Sequence, residues 1–152
     1  MNPLLYPLRL YYAAARLPVC LAPVLDLGLR MFLANVFFRS GMTKLQSWDS
    51  TLYLFNDVYA VPLLAPEFAA YLATGAELGL SVLLVLGLFG RFAAAGLSIL
   101  NVVAVISYYS GLSEAGLNQH LYWGMLLGVL LVMSRWQWSA DCYLERRFGK
   151  AA

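Results

Sequence analysis

The sequence has few charged residues: Asp, Glu, Lys and Arg together make up 12% of its 152 residues, whereas 62% are hydrophobic. Its mean hydropathy is +0.71. A soluble domain of this length needs far more charge to cover its surface. The composition therefore excludes an ordinary soluble domain and predicts a single domain that is embedded in a lipid bilayer.

Net charge, cysteine and histidine are also scarce. The formal charge is only +2, with no basic cluster large enough to follow a phosphate backbone, which excludes nucleic acid as a partner. The only cysteines, Cys20 and Cys142, fit no spacing for zinc, haem or an iron–sulfur cluster. Because His120 is the only histidine, we expect no metal site and no tightly bound cofactor.

Four stretches are long and apolar enough to be membrane helices. Residues 92–113 and 115–134 contain no formal charge, and at about 1.5 Å per residue each can cross a hydrocarbon core of about 30 Å. Residues 68–90 are interrupted only by Glu77. The stretch 21–42 carries several polar groups, which membrane helices tolerate when these groups face protein or water. Those groups are Asp26, Arg30, Asn35 and Arg39. The predicted fold is all-α, a bundle of four transmembrane helices.

The flanking segments predict how the bundle is oriented. Most Lys and Arg residues lie before the first helix, at the turn between the second and third helices, and in the basic tail 135–152. The basic residues of this tail are typical of a segment that binds anionic lipids and anchors the chain to the membrane surface. By the positive-inside rule both termini are cytoplasmic. Residues 1–18 contain three prolines and are predicted to lie on the membrane surface. The extended external loop 43–67 is rich in aromatic residues, so we predict a compact, partly helical cap.

Charged groups inside the predicted helices form a candidate intramembrane polar cluster. Asp26 and Arg30 are four residues apart and can pair on one helix face. Counted from the ends of their helices, Arg30 and Glu77 lie at the same depth, which predicts a contact between them. Asn101, on the third helix, is the fourth member of the cluster. Two interpretations remain open: a buried ion pair that fixes helix register, and a proton-relay or ligand-anchoring carboxylate.

A second group of polar and aromatic residues collects at the predicted outer end of the bundle. Cationic side chains and an imidazole can hydrogen-bond to the polar ring of a quinone, and aromatic side chains can pack against that ring. The alternative is an aromatic belt with cations that reach the interface. The candidate pocket residues are Arg39, Lys44, Trp48, Tyr108 and His120.

Several motifs resemble the DoxX family of small four-helix bacterial inner-membrane proteins. They are Arg30 within Leu-Arg-Met-Phe, the Ser-Gly-x-x-Lys-Leu turn that contains Lys44, the membrane Glu77, and the Gly-x-x-x-Arg turn that ends at Arg91. The resemblance covers about 29–91 well, and the last helix and Ser-Ala-Asp at 139–141 fit more loosely. It implies a quinone-interacting accessory subunit of a membrane redox or oxidative-stress system, with a redox partner protein in the membrane or periplasm.

A second role is implied by a narrower resemblance. Residues 40–64 and 71–77 look like a proteobacterial subgroup of the same family that is encoded beside copper-responsive modified-peptide systems. This implies a non-enzymatic membrane partner in copper or metal-stress handling, which meets a modified copper-binding peptide. Neither resemblance establishes a reaction, so whether the protein is an enzyme is left open.

Overall fold

The computed structural model describes residues 6–133 and 138–149, and these contain helices and connecting turns but no strand, which confirms the all-α prediction. A π-helical turn (Leu54–Val58) follows the second helix, and a short 3-10 turn (Tyr109–Gly111) follows the fourth. The α-helices are α1 (Tyr6–Gln46), α2 (Trp48–Tyr53), α3 (Pro66–Leu86), α4 (Gly90–Ser107), α5 (Glu114–Val132) and α6 (Ala140–Phe148).

The first helix is much longer than predicted. α1 has 41 residues, about 60 Å at 1.5 Å per residue, and runs unbroken through Pro18 and Pro23. The predicted boundary between a surface segment and a helix beginning at residue 21 is therefore wrong. Membrane helices tolerate such prolines because their surroundings satisfy the freed backbone groups. Residues 1–5 lie outside the described ranges, and the position of 1–18 relative to the membrane stays a prediction.

The long helices pack around one apolar core. α3 contacts α1 on one side and α4 on the other, and α5 packs against α4 and α1. α1 and α3 run antiparallel: Gly41 lies against Leu78, whereas Arg30 lies beside Gly87. The buried core residues of the four helices are Leu33, Ala34, Phe37, Leu84, Ala93, Ala94, Leu97, Leu127 and Leu130.

Within residues 6–133 and 138–149, three helical segments are long and apolar enough to cross a membrane: Leu21–Gln46, Pro66–Leu86 and Gly90–Ser107. α4 ends six residues before the predicted limit of 113, where the chain forms the 3-10 turn. α5 is not among the three, because its first half carries the polar residues Asn118, Gln119 and His120. A fourth membrane-crossing helix therefore stays a prediction.

Residues 47–65, which we call the cap, cover the half of α3 that α1 does not reach. α1 ends two residues after Lys44, which lies level with the middle of α3. Beyond that point Phe55 packs on Ala69 and Ala70. The helical content predicted for 43–67 is present, although 43–46 belong to α1. The external placement of the cap stays a prediction.

Two further contacts fix the cap on the bundle. The Trp48 ring lies 4.7 Å from the Tyr71 ring, measured between centroids. The Ala60 backbone N–H donates to the Ser107 carbonyl at 3.0 Å. The cap is thus hydrogen-bonded to the end of α4 and packed on α3, so it is an integral part of the bundle.

Candidate functional site

Lys44 and Glu77 form an ion pair between α1 and α3. The Lys44 Nζ donates to both carboxylate oxygens of Glu77, at 2.7 and 2.8 Å. Ser40, one turn earlier on α1, accepts from the same Nζ at 2.9 Å and donates to Glu77 Oε1 at 3.2 Å. The side chains of Lys44 and Glu77 are 19% and 12% exposed. We call these three residues the Lys44–Glu77 site.

A glycine on α1 allows this site to form. A Cβ at Gly41 would lie 2.8 Å from the Leu78 side chain and 3.2 Å from the Cβ of Glu77. Because such distances are too short for carbon atoms in contact, only glycine lets the two helices approach this closely. Ser40 and Lys44, on the turns around Gly41, are thereby brought within hydrogen-bond distance of Glu77.

The predicted contact between Arg30 and Glu77 is wrong. Arg30 lies beside Gly87, ten residues after Glu77, and its Nε is 3.2 Å from Asp26 Oδ2. The predicted pairing of Asp26 with Arg30 is therefore confirmed. The depth of Arg30 was misjudged because it was counted from residue 21, whereas α1 begins at Tyr6 and meets α3 through its C-terminal half.

Arg30 belongs to a second polar cluster, which joins the chain's last helix to the α3–α4 turn. Its side chain is fully buried, and its Nη2 donates to the Trp138 carbonyl at 2.7 Å. The Asp141 carboxylate accepts from the backbone N–H groups of Phe89 and Gly90, both at 2.9 Å. Asp141 N–H donates in return to the Gly87 carbonyl at 3.0 Å. We call this arrangement the Arg30 cluster.

The Arg30 cluster gives part of the tail a packing role that the sequence analysis did not predict. Gly87 has φ +63°, and a Cβ there would lie 2.6 Å from Arg30 Nη1 and in contact with Ser139. Residues 138–141 are therefore packed into the bundle. Anionic-lipid binding by the tail stays a prediction, and 134–137 and 150–152 lie outside the described ranges.

Asn101 pairs with His120 rather than with the charged residues. The Asn101 Nδ2 donates to the His120 carbonyl at 2.9 Å, and His120 Nδ1 lies 2.8 Å from Asn101 Oδ1. Because an amide oxygen only accepts, Nδ1 carries the proton. The His120 ring also contacts Trp123, with centroids 5.0 Å apart. The four residues predicted as one intramembrane cluster thus lie in three separate places.

The five residues of the predicted pocket are likewise divided. Lys44 belongs to the Lys44–Glu77 site, Trp48 lies on Tyr71, and His120 pairs with Asn101 on α4. Arg39 is exposed on α1, where its carbonyl accepts from the Thr43 hydroxyl at 3.0 Å. Of the five predicted pocket residues, Lys44 alone belongs to the Lys44–Glu77 site.

Tyr108 contacts Tyr59, a cap residue that the sequence analysis did not predict as part of a site. The rings of Tyr59, in the cap, and Tyr108 meet edge to face with centroids 5.3 Å apart. Burial raises the pKa of the Tyr59 phenol above its usual value, and the nearby Tyr108 and Glu77 raise it further. Tyr59 is thus a neutral hydroxyl close to Glu77. The aromatic richness of the cap was the only sequence signal for it.

The Lys44–Glu77 site contains hydrogen-bond donors and acceptors of three kinds. Lys44 supplies an ammonium, Glu77 a carboxylate and Ser40 a hydroxyl group. Within the described ranges no three His, Cys, Asp or Glu residues gather as ligands for a metal ion. The role in copper handling is not tested by any of these contacts and stays a prediction.

The family comparison covers the Lys44–Glu77 site and the part of the Arg30 cluster that lies before residue 110. The DoxX family model matches residues 25–110, more than half of the chain, and the match includes Arg30, Lys44 and Glu77. No curated protein and no solved structure matches the chain. Together with the three apolar helices that are long enough to cross a bilayer, the match shows that the chain is a multi-pass membrane protein and belongs to the DoxX family.

Proposed function

We propose that this protein is a quinone-interacting accessory subunit of a membrane redox or oxidative-stress system, and that the quinone ring binds at the Lys44–Glu77 site. The observation that carries this proposal is the pairing of a partly accessible ammonium with a carboxylate and a hydroxyl between two membrane helices. Ionisable groups inside a membrane bundle are costly, and each is a candidate for a ligand site or a proton pathway.

The chemistry of the site suits both forms of a quinone. The Lys44 ammonium can donate to a ring carbonyl oxygen of the quinone, and Glu77 can accept from a hydroxyl group of the quinol. Tyr59 and Tyr108 supply aromatic surface beside this position. The redox partner of the system supplies or takes up the two electrons, while this chain binds the ring. Of the two protons that accompany the electrons, one passes through Glu77 and the other is exchanged with water.

The proposal is tested by measuring the quinone that the protein retains. Full-length protein is purified in mild detergent from membranes that contain quinone, and bound quinone is extracted and quantified by mass spectrometry. The variant carries Lys44→Met and Glu77→Leu together, because removing both charges leaves neither stranded. The matched control is Arg91→Leu, which removes an exposed cation elsewhere.

We expect near-stoichiometric quinone in the wild-type protein and in the Arg91→Leu control, and a loss of at least about tenfold in the double variant, since two polar contacts of the ring disappear. Equal retention by the double variant and the wild type would exclude the Lys44–Glu77 site as the quinone site. Absence of quinone from the wild type, even after decylubiquinone is added, would refute the proposed function.

We also place the protein in the bacterial inner membrane with four crossings and both termini in the cytoplasm. α5 has 19 residues, about 28 Å, and packs against α1 and α4 as a fourth member of the bundle. Labelling of single cysteines in intact cells tests the orientation. Asp57→Cys should react from outside, whereas Arg147→Cys should react only after permeabilisation. The reverse pattern would overturn this topology.

A further inference from the structure

The hydrogen-bonding capacity of the Lys44 ammonium is already used within the chain. An ammonium group has three protons and no acceptor. Lys44 Nζ lies 2.8 Å from Glu77 Oε1, 2.7 Å from Glu77 Oε2 and 2.9 Å from Ser40 Oγ. Three acceptors therefore match the three protons, and a ligand can accept a hydrogen bond from Lys44 only by replacing one of these acceptors.

The Glu77 carboxylate is used unequally at its two oxygens. Each carboxylate oxygen can accept two hydrogen bonds. Oε1 accepts from Lys44 at 2.8 Å and from Ser40 at 3.2 Å, whereas Oε2 accepts from Lys44 alone among the described residues. Oε2 therefore keeps a lone pair that can accept a hydrogen bond from a ligand while every existing bond is retained.

Ser40 is the acceptor that a ligand can replace at the lowest cost. Glu77 carries the charge opposite to that of Lys44, whereas Ser40 is neutral, so the bonds to Glu77 are the stronger ones. Separating Lys44 from Glu77 would also leave two uncompensated charges inside the bundle. Replacing Ser40 leaves the ion pair intact, and Ser40 keeps its own bond to Glu77 Oε1.

We infer that Ser40 is the third acceptor of Lys44 in the ligand-free protein, and that a ring carbonyl oxygen of the quinone replaces it on binding. This inference rests on the proposed function. The same ring oxygen, as the hydroxyl group of the quinol, donates to Glu77 Oε2, which is the atom that takes its proton. Ser40 is thus a positioning residue that holds the ammonium group in the ligand-free site and competes with the ligand for it.

This role predicts that removing the Ser40 hydroxyl strengthens the binding of quinone. In Ser40→Ala, one proton of Lys44 has no acceptor in the site, so the incoming carbonyl oxygen gains a hydrogen bond without breaking one. We expect quinone to bind about threefold to tenfold more tightly, the range of one net hydrogen bond. A serine that only supported the shape of the site would have the opposite effect, because its loss would let Lys44 move and would weaken binding.

Titration of the full-length protein in lipid nanodiscs with decylubiquinone, followed by quenching of tryptophan fluorescence, measures this affinity. The variants are Ser40→Ala and Ser40→Cys, which preserves the size of the side chain but supplies only a weak acceptor. The matched control is Thr43→Ala on the same helix, because the Thr43 hydroxyl donates to the Arg39 carbonyl and lies outside the site. We expect the gain in both Ser40 variants and none in the control.

Thermal unfolding without quinone identifies the variants that are folded. If the wild type binds quinone, unchanged or weaker binding by either folded Ser40 variant would overturn the role of Ser40 and leave the proposed function in place. An equal gain in Thr43→Ala would overturn it as well, since the gain would then not depend on the third acceptor of Lys44. A wild type that binds no decylubiquinone would instead refute the proposed function, and this inference with it.

Discussion

The Lys44 ammonium lies 2.7 Å from one oxygen of the Glu77 carboxylate and 2.8 Å from the other, level with the middle of α3. The contact joins the last full turn of α1 to the centre of its neighbour. Beyond it, the cap takes the place of α1 against α3. The ion pair thus lies at the junction between the helical bundle and the cap.

Removing one partner of this pair should destabilise the protein more than removing both. Glu77→Leu leaves the Lys44 charge without its carboxylate, and we expect a loss of about 3 kcal/mol in the free energy of unfolding. Adding Lys44→Met to that variant should restore part of the loss. Unfolding by detergent titration measures this, and a double variant no more stable than Glu77→Leu would contradict direct pairing.

Arg30 should be far less tolerant of change than an exposed arginine of the same chain. Arg30→Leu removes the ion pair with Asp26 and the guanidinium donor of the Trp138 carbonyl, so we expect a loss of about 3 kcal/mol. Arg30→Lys should rescue little, because one ammonium does not reproduce the planar guanidinium. Thermal unfolding in detergent measures both variants. Arg91→Leu is the control, and equal loss in that variant would refute the structural role of Arg30.

Asp141 should stabilise a helix that lies far away in the sequence. Asp141→Ala removes the acceptors of the Phe89 and Gly90 amide groups at the start of α4, and we expect a cost of about 1–2 kcal/mol. Hydrogen exchange should accelerate at these two amides. The control is the exposed Glu145→Ala. Unchanged exchange at Phe89 and Gly90 would show that the contact does not persist in solution.

The phenol of Tyr59 should titrate above its usual pKa of 10.0. Burial favours the neutral phenol, so its pKa is higher in the folded protein than in the unfolded chain. This contribution to stability is complete below pH 10 and is lost as the pH rises through the pKa of the folded protein. Ultraviolet titration of the wild type and Tyr59→Phe measures it. A difference spectrum showing ionisation at or below the usual value would contradict the buried position.

Local patterns were predictable from the sequence, whereas contacts that depend on helix register were not. The pairing of Asp26 with Arg30 follows from the spacing of four within one helix. The partner of Glu77 depends on where α1 begins, and the prolines within residues 1–18 suggested a boundary that the helix does not have. An error in that boundary moved Arg30 to the level of Glu77 and left Lys44 outside the predicted cluster.

The contacts of the tail and of His120 could not be read from composition. Basic residues near a membrane favour an anionic-lipid anchor, and that pattern is the same whether or not Asp141 binds a turn elsewhere. Likewise, Asn101 was assigned to the charged cluster by its depth alone, because its rotation relative to α5 is not encoded locally. Both assignments required the packing of helices that are distant in sequence.

The hydrogen bonds from the first amide groups of α4 to Asp141 also determine when this part of the fold can form during synthesis. Gly90 N–H bonds to a carboxylate that the ribosome adds 51 residues later. Until Asp141 has left the exit tunnel, the first amide groups of α4 depend on water or other transient partners. The α3–α4 turn therefore reaches its final form only after Asp141 has emerged, and a chain truncated before residue 138 would retain α1 to α5 yet lack the groups that close this turn.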